Sequence, residues 1–145
     1  MSHDMIQYIN SSIFVVNNFN KTIDYKILLA VDNSPGTKKA VKYGVRVAQA
    51  FGIKVEILTV SEDENFNEAN KKSSENASKM MRRCGVEAET KFEIGKPVDK
   101  IIELAGEDHI IIMGASTQSP IAKFFVGSKP LNVMQNSNCP ILIVK

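Results

Sequence analysis

Two stretches of this 145-residue chain place residues capable of chemistry at the ends of apolar runs. The first is Gly114 to Ser128, GASTQSPIAKFFVGS, which follows the run Ile110 to Met113 and closes on a Gly-Ser pair. A strand ending in glycine, a hydroxyl-rich loop and a helix starting at Ser128 together present free backbone N–H groups and the positive end of a helix dipole. That setting holds anions, phosphates above all. The same residues also have a plainer use: Gly114 permits a tight strand exit, Ser128 caps a helix, and Ser116, Thr117 and Ser119 solvate a loop. Local sequence leaves both readings open. The second stretch is Tyr25 to Asp32, YKILLAVD, an apolar run ending in one carboxylate. Asp32 can accept from a ribose hydroxyl or touch a magnesium ion, and it can equally be a turn or capping residue.

Other chemistries find little support. His3 lies among Asn- and Ser-rich residues and His109 precedes a buried run, so a structural role or simple exposure is expected of both. There is no Gly-x-Ser-x-Gly elbow, no Walker loop and no cysteine–histidine cluster. No enzyme is expected; slow ATP hydrolysis is a third reading that stays open, although no residue pattern supplies its machinery. Cys84 and Cys139, the two cysteines, make neither a metal spacing nor a disulfide framework. They read as buried thiols of a reducing, cytoplasmic compartment. The net charge of +2 and the lack of aromatics interleaved with basic residues argue against nucleic acid. No apolar run approaches the ~20 residues that cross a membrane. Ile13 to Val16 is too short for a secretory signal, and the first Lys or Arg is Lys21.

The elements that must position Asp32 and Gly114 follow from periodicity. Residues 1–24 read as an N-terminal extension in which Ile13 to Val16 forms a short strand, and residues 25–145 as one domain. After the first domain strand, Ser34 and Pro35 open a helix whose apolar face carries Ala40, Val41, Gly44, Val45, Ala48 and Phe51, ended by Gly52. Lys54 to Val60 is a second strand. A second helix, from about Phe66 to Cys84, places Phe66, Ala69, Ser73, Ala77, Met80, Met81 and Cys84 on one stripe. Val86 to Glu93 alternates apolar and charged residues, the pattern of an edge strand with one wet face. Gly95-Lys96-Pro97 opens a third helix carrying Val98, Ile101, Ile102 and Ala105. The strand before Gly114 comes next, then a fourth helix from Ser128 to about Asn136, and finally the strand Ile141 to Val144. Five strands alternating with four helices make an α/β fold, a doubly wound five-stranded parallel sheet with helices on both faces. Ligands of such sheets bind at the carboxyl ends of the strands, where the winding reverses.

KILLAVDNSP, the Gly95-Lys96-Pro97 helix start, IIIMGAS, VGS and NCPILIV together resemble the universal stress protein family, over residues 25 to 145. The resemblance implies a Rossmann-like sheet in the order 3-2-1-4-5, and ATP, with or without magnesium, bound through a G-x2-G-x9-G-[S/T] pattern. It places the nucleotide on Ala30, Asp32, Met113, Gly114, Thr117, Gly127, Ser128 and Lys129. Gly114, Gly127 and Ser128 match the pattern, while Thr117 stands where its second glycine would be. Pro130 removes an N–H from the helix start, and Lys129 and Lys123 return positive charge. The expected function is a nucleotide-binding regulatory module. The alternative is a nucleotide-free dimeric interaction module with a degenerate site.

A partner is expected as well. Ile141, Leu142, Ile143 and Val144 form an apolar edge with no charge, against Glu87, Glu89, Lys91 and Glu93 on the opposite edge. A homodimer through antiparallel pairing of this strand would cover it, as the resemblance also implies. The competing arrangement folds residues around Ile13 to Val16 back onto the same edge.

Overall fold

The computed structural model describes residues 12–15, 20, 22–32, 35–65, 67–114 and 139–144, so the fourth helix expected from Ser128 lies outside the described residues. In chain order the elements are β1 (Ser12–Val15), β2 (Lys26–Ala30), α1 (Pro35–Phe51), β3 (Val55–Ser61), α2 (Glu68–Arg83), β4 (Ala88–Ile94), α3 (Pro97–Ala105), β5 (His109–Gly114) and β6 (Ile141–Val144). They form one sheet in the order β1-β6-β5-β2-β3-β4. All neighbours are parallel except β1, which runs antiparallel to β6. Leaving β1 aside, the five remaining strands have the expected 3-2-1-4-5 order.

The unbroken apolar runs of β2, β5 and β6 are explained by burial on both sides. One face, with Ile27, Leu29, Ile57, Ile110, Ile112 and Leu142, packs with Ala40, Val41, Val45 and Ala48 of α1 and Ala77 and Met81 of α2. The other, with Leu28, Leu58, Ile111, Met113, Ile141 and Ile143, packs with Ile101 and Ala105 of α3. Alternate residues of each strand serve opposite layers, which is why consecutive positions in these runs are apolar.

Several side chains depart from the expected faces. Phe51 is 63% exposed, because α1 ends there and Gly52, at φ 64°, turns the chain away. In α2 the buried residues are Ser74, Ala77, Ser78 and Met81, whereas Ala69, Met80 and Cys84 are exposed. The helix is rotated from the expected stripe so that two small hydroxyl residues face the sheet and the longer Met80 points to water. Asn67 starts this helix, its side-chain oxygen accepting from the Ala69 N–H at 2.7 Å. Along β4, Phe92 and Ile94 are exposed while Lys91 and Glu93 are half-buried. The charged face of this strand is therefore the more covered one at its far end.

The β6 edge also differs from the expectation of a strand left open for a second copy. Residues Ser12, Ile13, Phe14 and Val15 pair with Val144, Ile143, Leu142 and Ile141, so β1 occupies the side of β6 away from β5. The fold-back arrangement is the one realised. An added antiparallel strand satisfies the outward N–H and C=O groups that would otherwise form an open edge.

Candidate functional site

From β2 the chain winds outward through β3 to β4, crosses back by α3 to β5, and continues on the other side to β6. The reversal therefore lies between β2 and β5, which are hydrogen-bonded neighbours in the register Lys26↔His109 through Leu29↔Ile112. Ala30 and Met113 are the next residues on each strand and both are buried. Asp32 and Gly114 follow at the two carboxyl ends, each partly exposed. Two of the sequence-derived candidates thus stand at the reversal and two form its apolar floor.

The first turn of α1 closes against these ends. The buried Thr37 donates from Oγ1 to Asp32 Oδ1 at 2.9 Å, and the same oxygen accepts from the Asp32 N–H at 3.1 Å. The pair fixes both the backbone and the carboxylate of Asp32 relative to the helix start. The Gly36 backbone lies against Gly114: a Cβ on Gly114 would come within 2.6 Å of the Gly36 carbonyl carbon and oxygen. The bare Gly114 is thus required by the approach of α1 in its own right. Neither Gly36 nor Thr37 was among the sequence candidates. The signal available was the hydroxyl five positions after Asp32, within the first helical turn. Thr117, Gly127, Ser128 and Lys129 lie outside the described residues.

A separate charged cluster lies at the amino ends of the strands. The buried His109 places Nε2 2.7 Å from Glu56 Oε2, and Nδ1 2.9 Å from the Ala105 carbonyl and 2.8 Å from Asp108 Oδ1. Both ring nitrogens thus lie within hydrogen-bond distance of oxygen acceptors. Lys91 Nζ approaches the other Glu56 oxygen at 3.2 Å. Burial raises the Glu56 carboxyl, but hydrogen bonding and charge from His109, with the same from Lys91, outweigh it and hold the group below its ordinary value. This arrangement ties α3, β3, β4 and β5 together and is the structural role expected of His109. Among the described residues no group of three or more His, Cys, Asp or Glu side chains could hold a metal ion.

The thiols differ from the expectation that both are buried. Cys139 is 1% exposed, and its thiol is pushed up to about 11 by burial and then by the charge of Asp108. Cys84 is exposed. A cleft of about 530 Å³ between Tyr25, Phe51, Ile53 and Ile110 lies at the amino end of the sheet, opposite Asp32 and Gly114.

The sequence profile of the universal stress protein family matches residues 25–145. The chain belongs to the universal stress protein family. Universal stress protein YxiE of Bacillus subtilis is 30% identical over 145 residues, covering 83% of this chain and 98% of its own. A universal stress protein from Archaeoglobus fulgidus shares the fold, with a TM-score of 0.66 at 24% identity over 83% of this chain and 98% of its own. A universal stress protein crystallised in complex with cAMP matches at 26% identity with a TM-score of 0.64, over 86% of this chain and 98% of that one. No helix among the described residues is long and apolar enough to cross a membrane.

Proposed function

We propose that this family member is a regulatory module that binds an adenine nucleotide, ATP, at the carboxyl ends of β2 and β5, and acts through its bound state rather than by catalysis. The observation that carries the reading is the juxtaposition of Asp32 and Gly114 at the winding reversal, with the start of α1 packed against both. The similar protein that binds cAMP supports an adenine nucleotide as the ligand class. In this reading Ala30 and Met113 floor the adenosine end. Asp32 accepts from the ribose hydroxyls in an orientation set by Thr37. Gly127 and Ser128 supply backbone and hydroxyl donors to the phosphates, Thr117 adds a hydroxyl, and Lys129 adds positive charge. Residues 25–145 form the nucleotide domain, residues 1–24 an extension of it, and the site of action is cytoplasmic.

Calorimetry with ATP, with and without magnesium, tests the proposal, together with mass spectrometry of any nucleotide released when the purified protein is denatured. Saturable heat is expected. Gly127→Val crowds the phosphates and weakens it, Ser128→Ala removes a donor worth on the order of 1 kcal/mol, and Thr117→Gly tightens binding. No saturable heat at millimolar ATP, with no nucleotide released, would mean that the site is vestigial and would favour the nucleotide-free interaction module instead.

A further inference from the structure

Phe51 continues the buried stripe of α1 formed by Val41, Gly44 and Ala48, at steps of three and four residues, yet its ring is 63% exposed. The helical stripe runs on past the part of the sheet that covers it. There the ring lines the cleft of about 530 Å³ at the amino ends of β2 and β5, together with Ile23, Tyr25, Ile53 and Ile110. Those four are buried or half-buried, so the cleft is an apolar hollow with one uncovered aromatic wall. A phenyl ring left in water forgoes the burial its neighbours have, and an apolar body seated in the hollow would supply it.

The walls are in place without a ligand. Tyr25 Oη accepts from the Asn20 N–H at 2.9 Å, the Ile53 N–H donates to the Ala48 carbonyl at 3.1 Å, and the Ile27 N–H donates to the Lys54 carbonyl at 2.9 Å. The volume falls within the ~300–1,000 Å³ usual for small-molecule sites. The rim sets the charge of the occupant. Lys26 and Lys54 lie on it against the single carboxylate of Asp24. Lys26 forms no ion pair among the described residues, and Lys54 is 3.6 Å from Glu87 with both side chains well exposed, a pair that holds the ammonium weakly. One negative charge is therefore favoured. A phosphate chain is not, because α1 ends at Phe51 and brings the negative end of its dipole to the cleft, and Asp24 repels further charge.

We propose that this cleft is a second ligand site, which takes a small amphipathic monoanion: an aromatic or short alkyl body against Phe51, Ile53 and Ile110, and one carboxylate at Lys26 and Lys54. It shares no residue with the Asp32 and Gly114 end of the sheet, so the nucleotide reading can fail without touching it.

NMR titration of the isotopically labelled full chain with phenylbutyrate, its neutral amide and phenylbutylamine tests this. Saturable shifts are expected at the backbone amides of Lys26, Gly52 and Ile53, with the carboxylate bound tightest, the neutral amide about fivefold more weakly and the amine weaker still. Lys26→Gln/Lys54→Gln, both at exposed positions, is expected to bring the carboxylate down to the level of the neutral amide and to leave the latter unchanged. Phe51→Ser is expected to weaken all three. No saturable shift at about 10 mM of any probe overturns the proposal. Equal affinities for the three probes, shifts centred on Asp32 and Gly114, or a folded Phe51→Ser variant that binds as the natural chain does overturn it as well. Should Phe51→Ser fail to fold, the lysine variant and the order of the probes decide.

Discussion

A Cβ on Gly114 would lie 2.6 Å from both the carbonyl carbon and the carbonyl oxygen of Gly36, so the end of β5 and the start of α1 are in backbone contact that no other residue at Gly114 permits. Gly44 offers the internal comparison. Its added Cβ would meet Met81 Cε at 3.3 Å, the far end of a flexible side chain. Gly114→Ala is therefore expected to cost about 1–3 kcal/mol through overpacking against fixed backbone. Gly44→Ala is expected to be near neutral, as the helix propensity gained, up to about 1 kcal/mol, offsets a small shift of Met81. Urea unfolding of both variants checks the contrast; equal losses would mean that α1 is free to move away from β5.

Thr37→Val keeps the shape of the side chain and removes the oxygen that both donates to Asp32 Oδ1 and accepts from its N–H. The expected loss is about 1.5–3 kcal/mol, the range for a hydrogen bond to a charged group. On the proposed function it also weakens ATP binding by releasing Asp32, whereas Thr37→Ser restores both. Titration calorimetry of the two variants separates positioning from bulk: an affinity unchanged in Thr37→Val would remove Asp32 from the binding reading.

The Glu56 cluster gives an acid-side signature. Its carboxyl is held below the ordinary value of 4.5 in the folded chain. The stabilisation is therefore fully present above the unfolded value and is lost as pH falls through the folded one. Glu56→Gln should be less stable than the natural chain by about 1–3 kcal/mol at pH 7, with the gap closing below pH 4.5. Urea melts across that range check it, and a gap constant with pH would show that Glu56 contributes only shape.

The two thiols should separate cleanly. At pH 7.5 a maleimide is expected to label the exposed Cys84 and to leave Cys139, which is buried and whose thiol is pushed up to about 11. Mass spectrometry should therefore find one label on the folded chain and two after denaturation. Two labels on the folded chain at comparable rates would mean that the start of β6 opens readily.

The central strands were legible because their middle positions are apolar: Leu28, Ile57 and Ile111 could be recognised from composition alone, while the order of the strands followed only from the family resemblance. The rotation of α2 was not, since Ser74 and Ser78 carry no hydrophobic signal and are buried by the closeness of helix to sheet. Glu56 and His109 were not connected, because their pairing spans 53 positions and depends on strand order rather than on local pattern. Of the site, sequence identified Asp32 and Gly114 through what lies at a strand end. It missed Thr37 and Gly36, whose contributions are one hydrogen-bonded hydroxyl and one close-packed stretch of backbone. Which of two partners covers β6 was equally hidden, as both offer the same apolar strand.

The pairing of β1 with β6 also sets an order of events in folding. Ser12 meets Val144 across nearly the whole sequence, a closure whose entropy is offset only after the intervening strands are in place. During synthesis β1 leaves the ribosome long before its partner exists, so the nascent chain carries an unpaired apolar strand at the front while β2 to β5 assemble. Completion of this edge is then a late step, and the interval before it is when encounters between neighbouring chains on one messenger are most consequential.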